Sequence, residues 1–152
     1  MDTVTYPNEE VSSFIRDGVI PLQVSGDQKD ILERYNVQWT PTLVITDSEG
    51  KEHHRTLGFL SAEEIIPSLL LGIGKANFDD GRFEEALSNI EALITRYPGS
   101  GSTPEAIFYR GVALYKSTKD PMPLREAYET LNEKYPGSTW SKRAYPYRLI
   151  GE

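Results

Sequence analysis

Short apolar runs predict strands in the first sixty residues, and apolar residues at helical spacing predict helices after them. Gly18-Val19-Ile20-Pro21-Leu22-Gln23-Val24 reads as a strand following a first helix. Pro21 offers no N–H to a neighbour, so this strand suits an edge or a bulge. Gln28 to Asn36 carries Ile31, Leu32 and Tyr35 and reads as a second helix. Thr42 to Thr46 is a β-rich run, Asp47-Ser48-Glu49-Gly50 is a turn signal, and the more polar Lys51 to Leu57 completes a hairpin. Ser61-Ala62-Glu63-Glu64 then has capping-box spacing ahead of Ile65, Ile66, Leu69 and Leu70, which predicts a helix from Ser61. Pro67 falls inside that helix and should bend it.

Thr40-Pro41, directly before the hairpin, admits two readings: an ordinary trans turn or a cis bond. Before proline the trans preference shrinks to about 0.5–1 kcal/mol, and the hairpin that follows favours cis. The order of helix, strand, helix, cis-Pro hairpin and helix over residues 1–75 resembles the thioredoxin superfamily, without its first strand, first helix and second strand. The resemblance implies an α/β fold with an incomplete sheet. It also implies a Cys-x-x-C pair facing the proline, yet the chain has no cysteine, and Met1 would fall shortly after that motif's place.

A second pattern is an internal repeat. Tyr97-Pro98-Gly99-Ser100 recurs as Tyr135-Pro136-Gly137-Ser138 at an offset of 38 residues, with Ile90 aligned to Tyr128, Leu93 to Leu131 and Arg96 to Lys134. Gly74 and Ala86 remove bulk where two helices cross, Asp79-Asp80-Gly81-Arg82 makes the turn, and Glu84-Glu85 occupies the next helix's first turn, where the dipole favours anions. With Phe78, Phe83, Ile90 and Pro98, these positions resemble a tetratricopeptide repeat, which implies antiparallel helix pairs that bind proteins or peptides. The second copy departs from the pattern: Gly111 lies one place off the spacing, Leu124 replaces Ala86, and Lys116 to Pro123 reads as a long linker. A helix should begin near Asp120-Pro121. Thr139 to Tyr145, with Trp140 and Ala144, should form a capping helix that Pro146 interrupts.

Composition narrows the function. A net charge of −7 opposes a phosphate-backbone partner, so nucleic acid is not expected. Leu69 to Ile73 is too short to span a bilayer and Met1 to Pro7 has neither the basic residues nor the apolar stretch of a signal peptide, so a cytoplasmic chain with no membrane partner is expected, unless the N-terminus is truncated. His53 and His54 on one strand point to opposite faces and cannot close jointly on a metal; a solvated strand edge is the expectation. The acidic pairs Glu9-Glu10, Glu63-Glu64, Asp79-Asp80 and Glu84-Glu85 fall at helix starts and turns, where capping accounts for them. Leu71-Gly72-Ile73-Gly74-Lys75 is only half a phosphate loop. No catalytic residue, metal site or cofactor is expected.

The sequence therefore predicts an α/β plus α protein: a thioredoxin-like segment over 1–75 and a tetratricopeptide-like segment over 61–152, sharing the helix from about residue 61. The function expected is a non-catalytic, redox-inactive protein-interaction module. The alternative is the C-terminal part of a thiol–disulfide oxidoreductase or chaperone whose Cys-x-x-C lies upstream of residue 1. Peptides should meet Trp39, Thr40 and Pro41 at the proline loop, with the Trp39 side chain more core than surface. On the helical face they should meet Lys75, Asp79, Glu105 and Lys116, on the first helix of each pair, where side chains whole turns apart share a face. Unpaired strand edges at Val19–Val24 and Thr42–Thr46 predict a direct antiparallel pairing of the two or, more strongly, a homodimer.

Overall fold

A small α/β part leads into a run of antiparallel helices in the computed structural model, which describes residues 1–152. α1 (Glu9–Gly18) starts where the Asn8 side-chain oxygen accepts from the N–H groups of Glu10 and Val11, satisfying two of the donors a helix start leaves free. α2 (Lys29–Arg34) is shorter than its apolar pattern predicts. β1 (Thr42–Thr46) and β2 (Glu52–Leu57) form the hairpin, with Leu43 opposite Thr56, Ile45 opposite His54 and a bulge between Ile45 and Thr46. The Thr40–Pro41 bond is cis.

α3 (Ala62–Asp79) joins the two parts. Its residues Ile65, Ile66, Leu69, Leu70 and Leu71 form one core with Val11, Ile90, Leu93 and Ala106, and Leu43 and Ile45 of the hairpin pack against that core. The hairpin comes so close that a Cβ on Gly72 would lie 2.0 Å from Ile45 Cδ1 and 3.1 Å from His54 Cβ. Pro67 is buried inside α3, which continues through it. At the N-terminus, Thr5 Oγ1 donates to Leu60 O at 2.6 Å and holds the first turn against the entry to α3.

Two local expectations fail. Val19–Val24 is not a strand: the sheet has only β1 and β2, and Ile20 and Leu22 are 97% and 80% exposed. A strand exists through its ladder, and this segment has no neighbour to supply one. The predicted pairing of this segment with Thr42–Thr46 is likewise not made. Ser61 sits at the N-cap of α3 without a side-chain cap bond. The Glu64 side chain, which would supply the other half of a capping box, turns away to accept from Ser100 Oγ at 2.7 Å and from the Gly101 N–H at 3.4 Å, tying the start of α3 to the loop after the next helix.

α4 (Phe83–Arg96) pairs with α3, and α5 (Thr103–Thr118) pairs with α6 (Met122–Lys134); α7 (Thr139–Ala144) follows and passes into a 3-10 turn, Tyr145–Leu149, that contains Pro146. The link expected to be long is only Lys119–Pro121, the same length as Asp80–Arg82 in the first pair. A Cβ on Gly74 would meet Ile90 Cγ1 at 3.0 Å and Ala86 O at 3.5 Å, and one on Gly111 would meet Ala127 Cβ and Pro123 O, both at 2.8 Å. In each copy the glycine faces residues 12 and 16 positions later. At the crossing, therefore, Pro123 rather than Leu124 takes the place of Ala86, and the repeat runs at 37 residues. The 38-residue offset holds for the helix ends, where Leu93 and Leu131 are both fully buried.

Candidate peptide-binding face

The helical face is built on aromatic rings. Phe78 of α3 meets Phe83 at 5.6 Å and Tyr109 of α5 at 5.4 Å, both edge-on. Tyr109 and Phe108 then reach Trp140 of α7 at 6.2 and 5.2 Å, and Phe108 stacks on Tyr147 at 5.9 Å. All of these rings are half-buried, so one edge of a continuous ladder stays available to a ligand. Each such pair contributes about 0.5–1.5 kcal/mol beyond its buried area.

Charges are arranged around the ladder. Lys75 Nζ meets Glu105 Oε1 at 2.8 Å, each side chain 18% exposed, and the ammonium lies 5.4 Å above the Tyr109 ring. Lys116 Nζ lies 5.5 Å above Phe78, and the Arg143 guanidinium 4.6 Å above Trp140. Neither Lys116 nor Arg143 has an acidic partner. The structure thus brings together Lys75, Glu105 and Lys116, and adds Phe78, Tyr109, Trp140 and Arg143. Sequence reading missed Arg143 because its place depends on how α7 docks on α5.

Asp79 is turned elsewhere. Its carboxylate Oδ2 meets His53 Nδ1 at 2.6 Å, and Asp47 Oδ2 meets His53 Nε2 at 3.0 Å. The His53 side chain has no exposed surface, a correction to the solvated strand edge expected for it. Burial pulls its pKa down, but its hydrogen bonds to the Asp47 and Asp79 carboxylates and their charges outweigh that, and the pKa stands above the ordinary histidine value. The His53 hydrogen bond, with the Lys51 and Glu49 N–H groups, holds the Asp47 carboxyl below its usual range. With a carboxylate oxygen at each ring nitrogen, an arrangement that favours the protonated ring, His53 fastens the hairpin to the C-terminus of α3, where the helix dipole alone would disfavour Asp79. His54 faces α3 within 3.3 Å of Ser68 Oγ, and burial, with the Lys75 charge, lowers its pKa.

The proline loop is a separate place. Trp39 is 69% exposed, not core, because no element lies over it, and it lines a cleft of about 260 Å³ with Leu32, Val37, Gln38 and Thr40. Exposed Leu57 ends β2 opposite Thr42, and exposed Phe59 lies two residues beyond it. No hydrogen bond, ion pair or ring contact joins Trp39, Thr40 or Pro41 to the helical residues.

An α/β hairpin part continuous with antiparallel helix pairs defines a two-part repeat protein. Residues 2–71 match a thioredoxin-like domain and residues 68–100 and 105–138 match tetratricopeptide repeats, so the chain carries an incomplete thioredoxin-like sheet running into tetratricopeptide-type helices. No curated protein and no solved structure shows a significant match. No helix is long and apolar enough to cross a membrane.

Proposed function

We propose that the protein is a non-catalytic, cytoplasmic interaction module whose helical face takes an extended peptide carrying apolar or aromatic residues beside acidic ones. The observation that supports this reading is the half-buried aromatic ladder from Phe78 to Tyr147, flanked by two cations, Lys116 and Arg143, that lack acidic partners on a chain of net charge −7. Aromatic edges supply sequence-tolerant apolar contact, and the cations set the sign of the partner. Titrating the protein with an acidic, aromatic-containing peptide and with its Lys-substituted counterpart, read by Trp fluorescence, tests it. Binding of the acidic peptide should weaken about tenfold or more in Lys116→Glu with Arg143→Glu, a loss of about 1.4 kcal/mol, at unchanged melting temperature. Equal binding of both peptides, or no effect of the substitutions, overturns it. Lys75→Glu is the less clean test, because it sets two carboxylates against each other at the Glu105 position and lowers stability as well.

Exposed Trp39, Leu57 and Phe59 around Thr40 and Pro41 favour a second reading. In it this chain is the client-facing part of a thiol–disulfide oxidoreductase or chaperone whose Cys-x-x-C lies outside the sequence. Codons in frame upstream of Met1 that encode a strand, a helix and Cys-x-x-C would support it, and a close upstream stop would exclude it.

A further inference from the structure

The hairpin leaves one edge of β1 free. Gly58 N–H donates to Pro41 O at 2.9 Å, and in this antiparallel register the mutually bonded pairs recur at Leu43 with Thr56 and Ile45 with His54. The N–H and C=O groups of Thr42 and Val44 consequently point away from β2, where no strand lies. Elsewhere in the same chain, Ile20–Val24 makes no backbone hydrogen bond at all; the preceding Val19 N–H, which closes α1 on Ile15 O, is the last one before it.

We propose that two copies of the chain exchange these elements reciprocally, Ile20–Val24 of each adding as a strand to the free β1 edge of the other. Four observations carry the assignment of a second copy as occupant. Both stretches are five residues long; Ile20–Val24 has no strand partner within the chain, and β1 has one on a single edge only. No charged residue occurs from Val19 to Gly26 or from Tyr35 to Thr46, so two acidic molecules meet here without opposing like charges. A natural monomer often protects such an edge with a charge, and neither stretch carries one. Ile20 and Leu22, 97% and 80% exposed, share one face with Val24, and exposed Trp39 lies just ahead of the receiving strand. Finally, Pro21 sets the register. Lacking an N–H, it must face away from the partner, which turns the N–H groups of Ile20, Leu22 and Val24 toward β1 and makes the added strand the end of the sheet.

This inference is independent of the helical face. Light scattering after gel filtration at micromolar concentration tests it, with an expected mass of twice the 17.2 kDa chain. Leu22→Pro removes an N–H that should pair with the other copy and touches no bond within the chain, so it should give a monomer with unchanged far-ultraviolet circular dichroism. Gln23→Pro removes an N–H that points outward and should leave the dimer intact. A monomeric wild type, a mass above two chains, a dimer that survives Leu22→Pro, or dissociation by both prolines overturns the proposal.

Discussion

Replacing His53 with Gln removes the one charge that fastens the hairpin to α3 while keeping a polar side chain of similar reach. The variant loses the two charge-assisted bonds of the wild type, at 2.6 Å to Asp79 and 3.0 Å to Asp47. Such bonds contribute about 1.5–3 kcal/mol each, and a Gln amide retains one neutral bond of about 0.5–1.5 kcal/mol. Asp79 is 40% exposed, so its share is discounted for solvent screening. The expected destabilisation is about 2–3 kcal/mol near pH 5.5, or roughly 4–12 °C in melting temperature for a chain of this size. The sign of its pH dependence follows from linkage. A histidine whose folded pKa lies above the unfolded value of 6.5 contributes stability that is complete below 6.5 and is lost as pH rises through the folded pKa. The difference between wild type and variant should therefore shrink toward pH 9 as the ring loses its proton, because a neutral imidazole donates one bond, as the Gln amide does. His54, with its lowered pKa, works in the opposite direction and cancels only in that difference. Urea unfolding of both proteins at the two pH values measures it. A gap that stays constant or widens toward pH 9 would refute a charged His53.

Two further outcomes are expected. Gly111→Val should destabilise by about 2 kcal/mol or more, because even its Cβ would lie 2.8 Å from the Pro123 carbonyl oxygen, a backbone atom that does not yield easily, whereas Gly101→Ala, with no atom within 4 Å, should shift the midpoint by less than about 0.5 kcal/mol; paired urea melts compare them. The purified chain should reduce insulin disulfides no faster than buffer with the same reductant, since it has no thiolate nucleophile, and turnover above that background would contradict the reading.

Local rules carried the sequence a long way. The Asp47–Gly50 turn between a β-branched and a polar run defines the hairpin, and Gly81, at φ +76°, turns the first helix pair where the Asp79–Arg82 cluster predicts. Tyr-Pro-Gly-Ser closes both pairs because each copy must end its second helix before the next begins. All of these depend on neighbours within a few residues. The places of Lys75, Glu105 and Lys116 on the first helix of each pair were legible in the same way, but the contact of Lys75 with Glu105 depends on how α5 docks on α3.

Tertiary structure alone decided the rest. Whether Val19–Val24 becomes a strand depends on a partner, and none is present in the chain. Glu64 has the spacing of a capping residue, but Ser100, 36 positions later, offers it a better-placed bond. His53 reads as a polar strand residue, yet packing removes its side chain from water and places a carboxylate on each ring nitrogen, one from a turn six residues away and one from 26 residues away. Burial and charge pairing across such separations depend on how elements dock, which no window along the chain contains. Turn chemistry and periodicity are short-range and were written in the sequence; the charge on His53, the exposure of Trp39 and the place of Arg143 over Trp140 belong to the packed molecule.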